Sequence, residues 1–242
     1  MRIALALALA LSACAPPLDS HVPPFARVPY QAFSREAVVA IALREWRAFG
    51  SLDLPETEGD QSERDQGLWQ RIGEYWWLGL DSGSEESAWT GRHDGLGRTF
   101  APEEDGKYAW SAAFISYVMR TAGAGPRFPY APDHAEYINA SRRGGRWVMT
   151  AEPPDAYAPQ LGDLICRGRG RAAGLRFEDL PTGRFPSHCD IVVGGPIDGA
   201  IPAVGGNVGN AVTRRFFPVG EEGILEPADP AWLAVLRLEP RR

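Results

Sequence analysis

The strongest constraint on the fold is a change of hydrophobic pattern along the chain. The first half carries apolar residues at helical spacing, whereas the second half carries short apolar runs separated by Gly and Pro. Such runs are typical of strands. Strands are predicted at residues 161–167, 188–193, 201–205, 211–217 and 232–238.

Four helices are predicted in the first half. Ser34 has the side chain of an N-cap for a helix that ends near Gly50. Residues 68–80 place aromatic side chains in steps of three and four, which indicates a helix whose aromatic stripe lies in the core. Residues 110–122 form a third, mostly apolar helix, and Asp133 opens a short fourth one.

Helices followed by an antiparallel sheet of about five strands predict an α+β fold. The region from residue 33 to residue 242 holds about 210 residues, enough for a single domain with a good core. No internal repeat is visible. We therefore predict one domain over residues 33–242.

The N-terminus has the pattern of an export signal. A basic Arg2 precedes an apolar run, and a small-residue cleavage site follows it. The segment 11–14, Leu-Ser-Ala-Cys, resembles a bacterial lipobox, which implies removal of residues 1–13 and lipidation of Cys14. The alternative is an ordinary cleaved signal peptide in which Cys14 is incidental. Residues 14–32 are Pro-rich and suit a tether.

The lipobox reading implies an envelope protein anchored to a membrane. Ala15 follows the cysteine, and in Gram-negative lipoproteins this resembles the signal for the outer membrane, facing the periplasm. The formal net charge is −6, and removal of Arg2 makes it one unit more negative. This balance disfavours a nucleic-acid partner. We expect no metal, because no Cys and His spacing suggests zinc, and no cofactor. The sequence leaves the oligomeric state open.

Cys166 and Cys189 both lie in predicted strands. An extracytoplasmic compartment permits a disulfide between them. Two buried free thiols fit the sequence equally well, since free cysteine is among the most buried residue types.

The apolar third helix carries a candidate nucleophile at its first turn. Ser111 would meet the positive end of the helix dipole, where backbone N–H groups could also hold a developing oxyanion. A serine hydroxyl stays protonated and needs a base. His188 is the best candidate, and strand alternation places it on the same face as Asp190, with Cys189 and Ile191 facing the core.

Several segments in order resemble the NlpC and CHAP types of papain-like cell-wall hydrolases. They are residues 110–123, Gly162-Asp163-Leu164, residues 187–193 and Gly205-Gly206-Asn207. Serine stands at position 111 where that superfamily carries cysteine. The resemblance implies a papain-like fold in which Ser111 attacks, His188 moves the proton and Asn207 orients the imidazole. Asp190 and Asn210 are weaker candidates for the orienting role.

More narrowly, the chain resembles the bacterial family called domain of unknown function 2272. The residues that carry this likeness are Tyr75-Trp76, residues 110–120, His134 with Tyr137-Ile138, and residues 188–193. Trp110, His134 and Asp190 are taken as candidates for binding. Each motif also has a purely structural explanation: a serine that caps a helix, a histidine satisfied by hydrogen bonds, and a Gly-Gly-Asn turn.

The loop 168–187 carries Arg169, Arg171, Arg176 and Arg184 among glycines. These arginines could pair with carboxylates of a muropeptide, or they could be solvated without a specific role. For function, we predict either an envelope hydrolase that cleaves an amide bond in peptidoglycan or peptides, or an inactive papain-like domain that binds envelope peptide or glycan. A structural lipoprotein is the third hypothesis.

Overall fold

The computed structural model describes residues 32–54, 63–80, 84–228 and 230–239. The predicted signal peptide, Cys14 and all but the last residue of the tether lie outside them. In these ranges, no helix has the length and apolarity needed to cross a membrane.

Within the described ranges, four α-helices begin and end close to where the sequence predicts them. They are α1 (Arg35–Ala48), α2 (Leu68–Gly79), α3 (Ser111–Thr121) and α4 (His134–Arg143). The two predicted caps are confirmed: Ser34 accepts a hydrogen bond from the backbone N–H of Ala37, and Asp133 accepts one from that of Glu136, each at 3.1 Å. Short 3₁₀ helices at Glu85–Ala88 and Pro102–Tyr108 interrupt the connection between α2 and α3.

The helices pack against one seven-stranded sheet. Its strands are β1 (Asp53–Leu54), β2 (Met149–Glu152), β3 (Leu164–Gly168), β4 (Ser187–Val192), β5 (Ala200–Val208), β6 (Ala211–Pro218) and β7 (Trp232–Leu238). They lie in the order β1-β6-β5-β4-β3-β7-β2, antiparallel except for the β1–β6 pair. The predicted α+β class is confirmed. The predicted strand count of about five was too low, because β1 and β2 are edge strands of two and four residues.

Helix α3 lies at the centre of the domain. Every residue from Ser111 to Met119 is buried, as expected for a helix that is apolar all round. Its neighbours are α2 on one side and β4 and β5 on the other. The predicted aromatic stripe of α2 is in this core, with Tyr75 and Trp76 fully buried. A second, smaller apolar cluster that includes Val192 and Phe217 covers the opposite face of the sheet.

One buried carboxylate ties three helices together. Glu45 of α1 is fully buried and accepts hydrogen bonds from Arg71 and Tyr75 of α2 and from Tyr117 of α3. Burial alone would raise the pKa of Glu45, but the hydrogen bonds and charge of Arg71 outweigh it and lower the pKa. The carboxylate therefore stays ionised and paired inside the helical layer.

Cys166 of β3 and Cys189 of β4 are directly opposite each other in the sheet and form a disulfide. Of the two possibilities that the sequence left open, the structure has the bridge. Both cysteines are completely buried in the main core, so the bond joins the two strands beneath α3.

Loss of this disulfide should destabilise the domain. The bond spans 23 residues, and a closed loop of that size contributes about 3 kcal/mol by restricting the unfolded chain. The double variant Cys166→Ala/Cys189→Ala should therefore lose about that much free energy of unfolding in a urea titration. Reductant should destabilise the wild type and leave the variant unchanged. Equal stability of the two proteins would contradict this.

Candidate functional site

Ser111 is the first residue of α3, one position inside the helix. Its hydroxyl lies 2.7 Å from Nε2 of His134. The N-cap position belongs to Trp110, whose side chain makes no capping bond. Ser111 is therefore not the helix cap that its position in the sequence could have indicated. It points into a contact with a histidine of the next helix.

Trp110 lies in the core. Only 1% of it is exposed, its ring lies against Phe49 and Tyr75, and its indole N–H donates to the carboxylate of Glu63. Burial raises the pKa of Glu63 to about 7. The sequence suggested Trp110 as a binding residue. The structure places its side chain in the core, at the start of α3.

His134 is held between two hydroxyl groups. Its Nε2 contacts Ser111, and its Nδ1 contacts the hydroxyl of Tyr137, one turn further along α4. Burial raises the pKa of Tyr137 well above its usual value, so the phenol keeps its proton. Burial, with help from His188 and Arg169, holds the pKa of His134 well below normal, so the ring is neutral. A neutral imidazole has one donor and one acceptor nitrogen. The contacts to Ser111 and Tyr137 are compatible with the proton on either nitrogen.

The position of the proton on His188 of β4 is set by a carboxylate. Its Nε2 lies 3.4 Å from Oδ1 of Asp190, and a carboxylate can only accept, so Nε2 carries the hydrogen. Burial lowers the pKa of His188 more than Asp190 raises it, so the imidazole is neutral. Its Nδ1 is then a lone-pair acceptor. This atom is buried and has no hydrogen-bond partner among the described residues.

Asp190 is fixed from behind by Arg215 of β6. The guanidinium Nη2 lies 2.8 Å and 2.6 Å from the two carboxylate oxygens. Burial alone would raise the pKa of Asp190, but Arg215 and His188 outweigh it and hold the pKa well below its usual value. Asp190 is 1% exposed, and its carboxylate contacts both His188 and Arg215.

The two histidines bring these groups into one cluster. The rings of His134 and His188 lie 5.3 Å apart between centroids. Ser111, His134, His188 and Asp190 are all at least nine-tenths buried. The hydroxyl of Ser111 is bonded to His134, and the predicted direct bond to His188 is not formed. We call this set, with Tyr137 and Arg215, the serine–histidine cluster.

Asn207 does not hold the imidazole of His188. It lies where the pairing of β5 with β6 shifts register, with a positive φ of 55°. His188 Nε2 is bonded to Asp190, and Nδ1 has no partner among the described residues. Asn210, the other residue considered, lies in the β5–β6 turn, and its backbone carbonyl accepts a hydrogen bond from the backbone N–H of Glu63 at 2.8 Å. Asp190, and not the predicted Asn207, therefore contacts the imidazole of His188.

Comparison with known protein families matches residues 63–238 to a family described as an uncharacterized protein conserved in bacteria, DUF2272. The match covers well over half of the chain and includes the whole serine–histidine cluster. The chain belongs to this family. No curated protein and no solved structure matches the sequence.

Two members of the cluster in this DUF2272 domain were not predicted as site residues. Tyr137 follows His134 by three residues on a predicted helix, so the shared face was a usable signal. Arg215 interrupts an apolar strand, which marks it as unusual but gives no partner. Across the described ranges, no group of three or more His, Cys, Asp or Glu side chains could hold a metal ion.

Gly205 of β5 leaves the space that Asp190 and His188 occupy. A Cβ at this position would lie 2.1 Å from Oδ1 of Asp190 and 3.0 Å from Nε2 of His188. These atoms belong to a carboxylate held by Arg215 and a ring packed against His134. Neither can move without breaking a buried contact. Glycine is therefore required here by proximity.

Gly205→Ala should destabilise the DUF2272 domain by about 2 kcal/mol, as overpacking of a filled interior does. Thermal unfolding of the purified protein measures the change. Gly174→Ala is the matched control, because an added Cβ there meets no atom within 4 Å. Equal melting temperatures for the two variants would show that the pocket around Asp190 is looser than described.

Proposed function

We propose that the protein is a serine hydrolase of amide bonds with a papain-like domain, anchored in the bacterial envelope. The observation that carries this proposal is the unprotonated Nδ1 of His188. It is a buried base without a partner among the described residues, in a ring that contacts His134, the partner of Ser111. A neutral, oriented imidazole beside a hydroxyl is the arrangement that nucleophilic catalysis by serine needs.

The proposed mechanism follows a defined sequence of steps. It places the proton of His134 on Nε2, so that the hydroxyl of Ser111 accepts from His134 and turns its own hydrogen towards Nδ1 of His188. As the oxygen attacks a carbonyl, His188 takes the proton, and Asp190 stabilises the imidazolium that results. His188 then passes the proton to the leaving amine. Water repeats the sequence on the acyl-enzyme and restores Ser111.

Two further features support this mechanism. Ser111 stands at the N-terminus of an eleven-residue helix, where the first backbone N–H groups have no partner within the helix and favour a developing oxyanion. Arg215 holds Asp190 ionised, so the base keeps one tautomer. His134 is a positioning residue: it orients the hydroxyl of Ser111 without taking its proton.

The non-catalytic alternative is favoured by a different observation. Ser111 is 8% exposed, and its hydroxyl is bonded to His134 at the distance of a stable hydrogen bond. In this reading the domain keeps the cleft of a papain-like hydrolase, binds envelope peptide or glycan, and cleaves nothing. A cysteine at position 111, as the cell-wall hydrolases carry, separates the two candidates.

Activity can be tested with a fluorophosphonate, which labels activated serines, and by release of amino groups from peptidoglycan peptides. We expect the wild type to be labelled and the Ser111→Ala and His188→Gln variants not to be. Removal of the base should lower turnover about 10²-fold to 10⁴-fold. Because the pKa of His188 is lowered, its basic form and the activity should persist below pH 6.5. Ser116→Ala is the control, since Ser116 is another buried serine of α3 whose hydroxyl contacts Ala131.

Labelling that survives Ser111→Ala would rule out the hydrolase. A wild type that neither labels nor cleaves, combined with hydrolysis by Ser111→Cys, would establish the binding domain with an intact cleft. If Ser111→Ala and His188→Ala alter neither hydrolysis nor the binding of peptide or glycan, both site-based functions fail and the structural lipoprotein remains.

The envelope location rests on the N-terminal sequence, where an apolar run ends in Leu-Ser-Ala-Cys at 11–14. Cys14→Ala should abolish incorporation of labelled fatty acid and move the protein from the membrane fraction to the soluble periplasmic fraction, because lipid is the proposed anchor. A Cys14→Ala protein that stays in the membrane fraction and still incorporates label would exclude the lipidated cysteine.

A further inference from the structure

Two arginines of one strand and its continuation lie beside the serine–histidine cluster. Arg167 of β3 is directly opposite His188 in the pairing with β4. Arg169 lies two residues further along in extended backbone, with φ −130° and ψ 151°. Alternate residues of an extended chain share a side, so Arg169 continues the row from Arg167. Arg215 completes the group from β6 through its contact with Asp190.

The positive charge of these arginines is not balanced. Arg215 engages both oxygens of Asp190, and His188 shares one of them. Among the residues that the structure describes, the side chains of Arg167 and Arg169 have no ion pair and no hydrogen bond. Desolvation and the charge of Arg215 lower the pKa of both, Asp190 raises it in part, and arginine remains a cation. Three guanidinium charges, those of Arg167, Arg169 and Arg215, therefore share the single carboxylate of Asp190 beside the cluster.

Aromatic rings hold part of this group in place. The guanidinium of Arg167 lies 5.1 Å from the ring centroid of Phe217 and 5.2 Å from that of Trp232. Arg215 lies 5.1 Å from the same Phe217 ring. Stacking on a ring compensates the lost hydration of a guanidinium and leaves its edge free to donate. Arg167 is thus fixed in position without using its N–H donors on the protein.

Two other arginines of the loop 168–187 are engaged elsewhere. Arg176 pairs with Glu178, and Arg184 pairs with Asp133. Arg169 and Arg171 are both exposed. The pKa of His134 and of His188 is lowered mainly by burial, and Arg169 contributes to both shifts. Arg169 is therefore the loop arginine whose charge acts on both histidines of the cluster.

We propose that Arg167 and Arg169 form a carboxylate-binding subsite. This subsite selects a substrate that carries a carboxylate next to the bond held at Ser111. The inference rests on the proposed function, because it names the substrate class of the same site. A guanidinium edge matches a carboxylate with two parallel hydrogen bonds. A phosphate presents the same chemistry, so the test must separate the two anions.

Isothermal titration of the full chain in a non-ionic detergent, carrying Ser111→Ala, tests the subsite apart from hydrolysis. The probes are tricarballylate, a small tricarboxylate, and inorganic phosphate, in separate titrations. We expect saturable binding of one tricarballylate. Arg169→Gln should weaken it about 10-fold or more, the loss typical of a charge-assisted hydrogen bond. Arg171→Gln, two residues away, should bind as before.

Four outcomes decide the proposal. Binding of tricarballylate that Arg169→Gln weakens and Arg171→Gln preserves supports it. Preference for phosphate with the same dependence on Arg169 overturns the assignment to carboxylates. Absence of saturable binding, or equal loss in both variants, overturns the subsite. Because the Ser111→Ala protein cannot use that hydroxyl in a reaction, these results are independent of whether the wild type is a hydrolase.

Discussion

The domain depends on one constraint: helix α3 is apolar around its whole circumference and must be enclosed on every side. Helix α2 covers one side, and strands β4 and β5 cover the other. This enclosure fixes Ser111 at the end of a rigid element, directly beside the strand that carries His188. The position of Ser111 near β4 is therefore a consequence of core packing.

The cluster contains two buried, neutral histidines with different partners. His134 contacts the hydroxyls of Ser111 and Tyr137, whereas His188 contacts the carboxylate of Asp190. Burial lowers the pKa of both rings. A neutral imidazole has one donor and one acceptor nitrogen. The acceptor of His188 is Nδ1, which has no hydrogen-bond partner among the described residues.

Local sequence patterns predicted the elements well and their long-range partners poorly. The caps at Ser34 and Asp133 and the strand face shared by His188 and Asp190 follow from spacing alone. Strands β1 and β2 are too short to show a period. The bond from Ser111 to His134, and the pairing of Asp190 with Arg215, join segments 23 and 25 residues apart. These contacts depend on how α4 and β6 pack, which no local pattern reports.

The adjacent glycines Gly205 and Gly206 leave β5 without a side chain on either face at this point. An added Cβ at Gly205 would strike Asp190 on one face of the sheet, and one at Gly206 would strike the ring of Phe114 on the other. At this point the sheet is only one backbone thick between the charged pocket and the central helix. A larger residue at either position of this chain would therefore require a change in α3 or in β4.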